Sequence, residues 1–376
     1  MKKSLIALAV IAASGAAMAQ SSVTLYGVVD SYVGQTSSKT DSSIPANVKA
    51  KLSQTVVNGS GLSSSRWGLK GKEDLGGGLA AVFTLESGFS IDSGANANNG
   101  GTAGSNATNI LFGRQASVGL SGGFGEVRLG RLYTAYDSLR AATNNTWDSN
   151  TFATTSNLWN KTGIADYSNR INNAISYVSP DFGGVSGAIV YGMGEDKVAA
   201  TATTPEVAAS NGVSLHIKYA NGPLVVGYAF QREKENAAGA SLFNYATVAA
   251  TSTGATKADT RKYNLVAASY DFGVAKLVGG YNEAKNDTLK DKEYQLGVSV
   301  PFGAAAVAVG YTHSKSTSQT AVAATNKGDG FSLAGTYELS KRTTLYAGLT
   351  SVKYETANHT TTTKATVVGT GLRHAF

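Results

Sequence analysis

The sequence predicts an all-β fold, a 16-stranded antiparallel transmembrane β-barrel. Three observations carry this prediction. Segments in which apolar and polar residues alternate run through the whole chain, short and long connections alternate between them, and tyrosines recur near their ends. Alternation with a period of two indicates strands with one apolar face, and the regular change in connection length indicates a series of hairpins.

Individual segments show this alternation directly. In residues 213–219, Val213, Leu215, Ile217 and Tyr219 fall on one face, and Ser, His and Lys lie between them. The chain contains sixteen segments of this kind, which we expect to form the strands of the barrel in chain order. They begin near Val23, Arg66, Leu79, Phe112, Gly125, Arg170, Val185, Val213, Leu224, Arg261, Val274, Lys292, Ala304, Gly330, Thr343 and Ala365.

The connections between these segments alternate in length. Short connections, such as residues 121–124 and 271–273, are followed by long ones rich in Ser, Thr, Asn, Ala and Gly. Residues 31–65 form the first long connection and residues 133–169 the third. Bacterial outer-membrane barrels combine short periplasmic turns with longer outer loops, so this pattern indicates such a barrel.

A soluble β-sandwich is the alternative, since it also contains alternating strands and turns. A sandwich does not explain the regular change in connection length, or the tyrosines, which suit the aromatic girdles at the two surfaces of a bilayer. The small residues on the polar faces also favour an unfilled interior, because a sandwich must pack both inner faces, whereas sixteen strands leave an aqueous channel. The tyrosines are Tyr26, Tyr177, Tyr191, Tyr219, Tyr228, Tyr263, Tyr281, Tyr311 and Tyr337.

The first nineteen residues have the features of a secretory signal peptide. Lys2 and Lys3 precede an apolar stretch at residues 5–17, and Ala17-Met18-Ala19 is an A-x-A cleavage sequence. The apolar stretch is too short to span a bilayer. We therefore divide the chain into a signal peptide at residues 1–19, cleaved near Ala19, and a barrel at residues 20–376.

The composition excludes several kinds of function. Because the chain has no Cys, disulfide scaffolds and Cys-based metal sites are impossible. The 32 basic residues face 25 acidic ones and form no runs, so we expect no nucleic-acid binding. The four His residues are isolated in the sequence, without the spacing of metal ligands, and we expect no metal and no other cofactor.

The sequence also carries no convincing catalytic constellation. Residues 119–123 (GLSGG) match the hydrolase motif G-x-S-x-G, which needs a strand-to-helix elbow with a His and an acid in place. Here another strand segment follows, so we expect a turn and not an enzyme. Two alternatives stay open: a barrel enzyme, which needs a His paired with Ser or Asp at the rim, and a structural or adhesive barrel with a plugged lumen.

Five stretches of the chain resemble the general diffusion porins of Gram-negative bacteria, of the neisserial and β-proteobacterial type. Each stretch alone is a weak signal, but together they are highly specific, and they extend from the N-terminal region to Phe376. They are SVTLYGVVD at 22–30, SRWGLKGKEDLG at 65–76, GEVRLGR at 125–131, NNAISYVSPDFG at 172–183 and GLRHAF at 371–376.

The resemblance implies a passive channel for small hydrophilic solutes and ions in the cell outer membrane of a Gram-negative bacterium. It implies a homotrimer, in contact with outer-membrane lipid and lipopolysaccharide, in which the inward-folded third loop narrows each pore. The terminal strand resembles the assembly signal that the barrel-assembly machinery reads, with Phe376 as its last residue. Porins specific for one solute share this fold, so the physiological solute stays open.

Basic residues of the strands are the candidates for ion selectivity, which arises from charged side chains at a narrow point. Strand parity, the alternation of successive residues between the two faces of a strand, places Arg66, Lys70, Arg128 and Arg170 on the lumenal side. It places Arg114 with the lipid-facing residues, so Arg114 needs a bulge or a position above the membrane plane. The resemblance implies an arginine cluster at the constriction of anion-selective members, matched here by Arg66, Arg114 and Arg170. We expect a mild preference for anions; the alternative is that these arginines only solvate strand ends.

The third long connection carries the acidic candidates Asp137, Asp148 and Asp166. Acids that face a basic wall would create a transverse field that orients dipolar solutes. Asp137 also resembles the start of the family's constriction loop. The loop departs from the family in containing Trp147 and Trp159, which leaves open which of its residues line the pore.

Overall fold

The fold is described by a computed structural model of the chain. The structure describes residues 22–43, 48–96, 110–143, 150–159, 161–164, 166–203, 205–235, 259–320, 325–356 and 360–376. The proposed signal peptide at residues 1–19, with Ala19, therefore lies outside the described residues.

Seventeen strands and two helices make up the described part of the chain. The helices are α1 (Ala135–Thr143) and α2 (Thr154–Leu158). The strands are β1 (Ser22–Ser42), β2 (Val48–Gly59), β3 (Arg66–Gly76), β4 (Leu79–Gly88), β5 (Gln115–Gly122), β6 (Gly125–Tyr133), β7 (Arg170–Val178), β8 (Val185–Met193), β9 (Asn211–Asn221), β10 (Leu224–Glu235), β11 (Asp259–Asp271), β12 (Lys276–Lys285), β13 (Leu289–Phe302), β14 (Ala305–Ser318), β15 (Thr325–Glu338), β16 (Thr343–Thr356) and β17 (Thr361–Ala375).

Sixteen of these strands form a closed antiparallel ring, which confirms the predicted barrel. From β3 to β17 each strand pairs with the next one along the chain, and β1 joins the two ends. The first part of β1 pairs with β3, from Ser22↔Lys72 to Val28↔Arg66, and the rest of β1 pairs with β17, from Val28↔Ala375 to the end of the strand. The ring therefore leaves no free sheet edge, which is the condition for a sheet to span a membrane.

Strand β2 is the one strand outside this ring, and the sequence did not predict it. It pairs with the C-terminal half of β1, from Ser31↔Gly59 to Ser42↔Val48. The sequence placed these residues in the first long connection. The structure shows that much of that connection is a two-stranded extension of β1 beyond the pairing with β3.

The two faces of the ring differ in character. Large apolar side chains such as Val118, Leu129 and Leu296 are exposed on one face, and small or polar residues such as Ser176 and Ser314 are buried on the other. In a closed barrel that crosses a bilayer, the exposed apolar face is the outer one and the polar face encloses the interior.

Two of the tyrosines assigned to the aromatic girdles belong instead to the interior. Tyr263 is almost fully buried and packs with α1 residues, and the Tyr26 hydroxyl donates a hydrogen bond to Glu86 at 3.0 Å. The sequence prediction was wrong for both, because the alternation of the strand and not the nearness to its end decides which face a side chain occupies, and both residues alternate with the outward-facing ones. The other seven are partly exposed on the outer face.

The segment between β6 and β7, here called the third-loop segment (residues 134–169), packs against the polar face of the ring. Helix α1 contacts strands β8–β12, and α2 contacts β14–β16. The Ile164 N–H donates to Asp291 of β13 at 2.6 Å, and the Ser168 N–H donates to Glu233 of β10 at 2.7 Å. Neither helix is long and apolar enough to cross a bilayer, among the residues described.

Local sequence explains the position of α1. Thr134 precedes the helix, and its side-chain oxygen accepts a hydrogen bond from the Asp137 N–H at 3.2 Å, which caps the first turn. Tyr136, Leu139 and Arg140 recur at helical spacing and are buried. This face of the helix packs against Tyr263 and neighbouring side chains of the wall, so the segment is held by an apolar contact as well as by hydrogen bonds.

Candidate functional site

A cavity of about 630 Å³ lies between the ring and the third-loop segment. Arg66, Arg114 and Arg170 line it from the wall, and Asp137 lines it from the segment. Its remaining lining residues are Asn58, Gly59, Ser60, Ser64, Ser65, Glu86, Phe89, Ser90, Asp92, Tyr133, Ser138, Ala141, Asn150 and Asn169. Three of the five basic residues chosen from the sequence therefore meet in one place.

Glu86 of β4 connects two of these arginines. The Arg114 Nε donates to Glu86 Oε1 at 2.7 Å, and the Arg66 Nε lies 3.7 Å from Glu86 Oε2. Hydroxyls of Tyr26 and Tyr133 also donate to this carboxylate, at 3.0 and 3.3 Å. A buried carboxylate with this many donors is held in one orientation and fixes the guanidinium groups beside it.

Arg114 reaches the cavity although strand parity placed it toward lipid. Strand β5 begins one residue later, at Gln115, and the Arg114 N–H donates to the Glu86 carbonyl oxygen at 3.1 Å. The parity rule does not extend to a residue that precedes the strand. The contact with Glu86 then directs its side chain inward.

Arg170 reaches the same cavity through an interrupted strand pair. Its guanidinium lies 4.4 Å from the centroid of the Tyr133 ring and donates to the Tyr133 hydroxyl at 2.6 Å. The β6–β7 register shifts between Gly130 and Leu132, and Asn173 has a φ of 48°. A bulge changes the direction of the side chains beyond it. Alternation counted from the rest of β7 is therefore not a valid reason to place Arg170 inward, although the structure places it in the cavity.

The turn before β3 positions Arg66. Asp30 of β1 is fully buried, and its carboxylate accepts hydrogen bonds from the backbone N–H groups of residues 61–63 at 2.8 to 3.0 Å. The Tyr346 hydroxyl donates to the same carboxylate at 2.5 Å. Arg66 follows this turn and donates to the Ser64 carbonyl oxygen at 3.0 Å, so its entry into the strand depends on Asp30.

Lys70 and Arg128 lie in a second, smaller cavity of about 220 Å³ on the inner face of β1, β3, β4 and β6. The Lys70 ammonium lies 5.2 Å from the centroid of the Tyr26 ring. Arg128 is paired with Glu126 at 2.6 Å and donates to Thr84 at 2.9 Å. The five basic residues thus occupy two successive sites along the wall.

The three acidic candidates have separate positions. Asp137 lines the larger cavity and accepts a hydrogen bond from the Tyr167 hydroxyl at 2.6 Å. Asp166 does not line that cavity; both of its carboxylate oxygens accept from Arg140 Nη1 at 3.0 Å. Asp148 lies outside the described residues, as does Trp147.

Arg140 of α1 anchors the third-loop segment from within. Its guanidinium lies between the rings of Trp159 and Tyr167, 4.7 and 4.8 Å from their centroids. Burial alone would lower the pKa of Arg140, but the adjacent Asp166 carboxylate raises that pKa above its usual value. Burial, together with the nearby Asp137, raises the pKa of Tyr167 well above its usual value, so this side chain stays neutral beside the ion pair.

Sequence reasoning did not single out Asp30, Glu86 or Arg140. Asp30 and Glu86 have inward parity among apolar and small neighbours, and a charged residue there signals a fixed polar contact. Thr134 followed by Asp137 is a helix-capping pattern and would have indicated α1, on whose buried face Arg140 lies. Parity alone could not have named their partners, which come from distant strands.

The arrangement can discriminate solutes by charge without any covalent step. Guanidinium groups stay charged at all physiological pH values, and the lining of the cavity combines the three arginines with the carboxylates of Glu86, Asp92 and Asp137. Charges placed in this way act on a passing ion by attraction or repulsion over the screening length of about 8 Å at physiological salt.

Comparison with known proteins identifies the family. The family profile described as Gram-negative porin matches residues 5–357 of this chain. Outer membrane porin protein 32 of Delftia acidovorans is 36% identical over 370 residues, covering 95% of this chain and 91% of the relative. An outer membrane porin protein of Bordetella pertussis is 31% identical over 418 residues, covering 100% of both chains.

Solved structures agree with the sequence relatives. The anion-selective porin from Comamonas acidovorans matches with a TM-score of 0.69 and 29% identity, over 95% of this chain and 100% of that one. The outer membrane protein OmpT of Vibrio cholerae matches with a TM-score of 0.65 at 16% identity over 95% of this chain and 98% of that one, which shows the shared fold alone. The relatives are porins and not enzymes, and this chain belongs to the Gram-negative porin family and is an outer-membrane porin.

Proposed function

We propose that this porin is a passive diffusion channel with a mild preference for anions, and that the cavity lined by Arg66, Arg114 and Arg170 is its constriction. The observation that carries the proposal is the meeting of these three arginines, from three strand ends, in one cavity that Asp137 of the third-loop segment also lines. The anion-selective porin from Comamonas acidovorans, with the same fold and 29% identity, supports the sign of the preference.

The balance of charge along the wall supports an anion preference that is mild. The lining of the larger cavity contains three arginines and three carboxylates, those of Glu86, Asp92 and Asp137. The lining of the smaller cavity contains the three cations Lys70, Lys72 and Arg128 and no carboxylate. Arg128 is paired with Glu126, so the excess positive charge of the two sites rests on Lys70 and Lys72. The proposed result is a ratio of permeabilities and not exclusion of cations.

The packing of the third-loop segment supports its role as the narrowing element. Both helices contact the polar face of the ring, and the segment brings Asp137 and Ser138 to the cavity. The ion pair between Arg140 and Asp166 supports the segment and does not contribute to the lining. We assign Asp166 to anchoring and Asp137 to the constriction.

The remaining features of the proposal follow from membership in the family. We propose that residues 1–19 are removed as a signal peptide, that the barrel assembles as a homotrimer in contact with outer-membrane lipid and lipopolysaccharide, and that the barrel-assembly machinery reads Phe376 as part of its signal. The backbone of Phe376 pairs with Gly27 of β1 through two hydrogen bonds of 3.0 Å, which supports a role for this residue in closing the ring.

The reversal potential under a KCl gradient in a planar lipid bilayer tests the selectivity. The wild-type protein should show a chloride-directed potential. The double variant Arg66→Gln/Arg170→Gln should lower the chloride-to-potassium permeability ratio, because a unit charge about 4 Å from an ion in water contributes about 1 kcal/mol. We expect a decrease of about twofold to fivefold at moderate salt.

Arg342→Gln is the matched control, because Arg342 is exposed in the short connection before β16. Its permeability ratio should equal that of the wild type. A potassium-directed potential in the wild type would mean that the acidic residues, and not the arginines, determine the ion selectivity. No current steps from folded protein would favour the structural barrel with a plugged lumen.

A further inference from the structure

Lysines gather on the outer face of the barrel at the end that carries the long connections. They are called here the lysine belt and comprise Lys262, Lys285, Lys290, Lys292, Lys315 and Lys327. Each lies on the same face of its strand as exposed apolar residues; Lys292, for example, lies between the buried Asp291 and Glu293 and two residues from the exposed Tyr294. The sequence contains no run of basic residues, so it is strand register that brings them together.

The register places the lysines of the belt directly opposite one another. Lys285 lies opposite both Lys262 and Lys290, and Lys315 lies opposite both Lys292 and Lys327. Side chains directly opposite in an antiparallel pair have Cβ atoms about 4.5 to 5.5 Å apart, and like charges in such pairs are destabilising. Four such pairs on β11–β15 therefore require a counter-charge.

The described acidic residues supply only part of this counter-charge. Lys290 pairs with Glu283 at 2.9 Å, and Lys327 lies 3.7 Å from Glu355. Lys262, Lys285, Lys292 and Lys315 have no acid within ion-pair distance in the described part of the chain, and all four are exposed. Glu283 also lies directly opposite Lys292, but it already pairs with Lys290, so the lysines of the belt outnumber the acids beside them among the described residues.

An apolar groove of about 460 Å³ lies below the belt on the outer face of β11–β13. Its floor is formed by Ala268 and Gly279, which lie opposite each other, and its walls include Leu277, Tyr281 and Leu296. The volume lies within the range of small-ligand sites, about 300 to 1,000 Å³. The absence of a side chain at Gly279 is what creates the depression.

The groove and the belt share the same three strands. Lys285 follows Tyr281 by four residues on β12, and Lys292 precedes Tyr294 by two residues on β13. With a rise of about 3.4 Å per residue, the lysines stand roughly 7 to 14 Å above the groove wall. A ligand with an anionic head and an acyl chain matches this spacing.

We infer that the lysine belt and the groove below it form one binding site for lipopolysaccharide of the outer leaflet, with the phosphates on Lys262, Lys285 and Lys292 and an acyl chain against Ala268 and Gly279. This inference rests on the proposed contact with lipopolysaccharide and gives it a location. Charge complementarity selects the phosphorylated headgroup, and the groove selects a molecule that is also acylated.

The test measures binding of purified rough-type lipopolysaccharide to the detergent-solubilised porin by native mass spectrometry and by the shift in its unfolding temperature. The triple variant Lys262→Gln/Lys285→Gln/Lys292→Gln should bind at least about tenfold more weakly, because each basic residue near an anionic surface contributes about 1 kcal/mol. Lys276→Gln, an exposed lysine at the opposite end of β12, should bind like the wild type.

A second pair of variants tests the groove. In Gly279→Leu the added Cβ would lie 3.1 Å from the flexible Leu296 side chain, so the new side chain can enter the groove without a backbone clash. It should weaken binding of lipopolysaccharide but not of its deacylated, phosphorylated saccharide. Gly335→Leu is the control, because that position faces outward on β15 away from the groove and an added Cβ would make only an ordinary contact of 3.8 Å with the Ala306 carbonyl oxygen.

Three ligand controls distinguish the source of the anion. Dephosphorylated lipopolysaccharide should bind like the triple variant, inorganic phosphate should not displace the intact molecule, and phosphatidylglycerol should bind more weakly. Equal binding of phosphatidylglycerol would make the belt a general anionic-lipid surface and overturn the assignment. Unchanged affinity in the triple variant would overturn the site.

Conductance separates this inference from the proposed channel function. The triple lysine variant and both glycine variants change the outer face alone and should conduct like the wild type, which also shows that they are folded. A wild-type protein that does not bind lipopolysaccharide at all would refute the proposed partner and leave the pore intact. A wild-type channel without anion preference would contradict the proposed constriction and would not affect the inferred lipopolysaccharide site.

Discussion

Glu86 is the residue on which the arrangement of the wall arginines depends. It lies beside Arg66 and Arg114 and accepts from Tyr133, whose hydroxyl in turn accepts a hydrogen bond from Arg170. One carboxylate therefore orders three guanidinium groups and neutralises part of their charge. Glu86 therefore has two opposing effects on anion selectivity: it positions the arginines, and it weakens their electric field.

Replacing Glu86 by Gln should raise the chloride-to-potassium permeability ratio. The amide keeps most of the shape of the side chain but removes the negative charge, so the field of Arg66 and Arg114 extends further into the lumen. The measurement is the reversal potential under a KCl gradient. Glu73→Gln, on the exposed end of β3, should leave the ratio unchanged. A lower ratio in Glu86→Gln would mean that positioning outweighs neutralisation.

The basic residues illustrate what parity can and cannot predict. It placed Arg66, Lys70 and Arg128 toward the interior, because an uninterrupted strand alternates strictly. It misplaced Arg114, which precedes its strand, and it gave no valid reason for Arg170, which follows an irregular stretch. Residues at strand ends take their direction from contacts such as the one with Glu86, and those contacts join segments far apart in sequence.

At the scale of elements, the third-loop segment depends on the ion pair between the buried Arg140 and the partly exposed Asp166. Arg140 forms an ion pair with Asp166, and its planar guanidinium lies over the rings of Trp159 and Tyr167. Both oxygens of Asp166 lie near the same guanidinium nitrogen, which holds the two ends of the segment together. The apolar packing of Tyr136 and Leu139 then attaches that unit to the wall.

Arg140→Met should loosen the segment without opening the ring. Removal of one partner of a fully buried pair costs about 3 to 5 kcal/mol, and the cost here should be smaller, because water reaches the 28% exposed Asp166 side chain that is left unpaired. Hydrogen exchange should accelerate in α1 while amides of β13 and β14 stay protected, and the open-channel current should become noisier. Arg140→Lys, which keeps the charge but not the planar fork, should be intermediate. Unchanged exchange in α1 would contradict this assignment.

The predicted and observed elements differ in an instructive way. All sixteen ring strands were predicted, because lipid on one side and water on the other impose strict alternation. Strand β2 was missed because its exposed residues include Leu52 and Val57, which have opposite parity, so no single apolar face marks it. Helices α1 and α2 were missed because they are short and lie in a polar connection, where packing against the wall decides the conformation.

At the scale of the whole molecule, closure of the ring involves the last residue. The Phe376 N–H and carbonyl oxygen pair with Gly27, and its ring lies over the same glycine. The contact joins the end of the last strand to the first one. It therefore forms only when the whole chain has assembled into the barrel.

Phe376→Ser should reduce the amount of folded porin in the outer membrane of cells. If Phe376 belongs to the assembly signal, the variant should nevertheless refold in detergent and conduct like the wild type, since it loses one exposed ring and no strand pairing. Phe302→Ser, which removes a similarly exposed aromatic ring at the end of β13, should accumulate normally. Equal amounts of both variants in the outer membrane would contradict a signalling role.

The third-loop segment also has a mechanical consequence for the barrel. Its helices and Ile164 contact one continuous arc of the wall from β8 to β16. The backbone N–H groups of Thr151 and Phe152 also donate to the carbonyl oxygens of Ser60 and Gly61, so the segment joins this arc to the turn between β2 and β3. A hollow cylinder without such a tie can flatten when the surrounding bilayer compresses it from the side. With the tie in place, the cross-section resists becoming elliptical, so the aperture keeps its size as lateral pressure in the membrane changes.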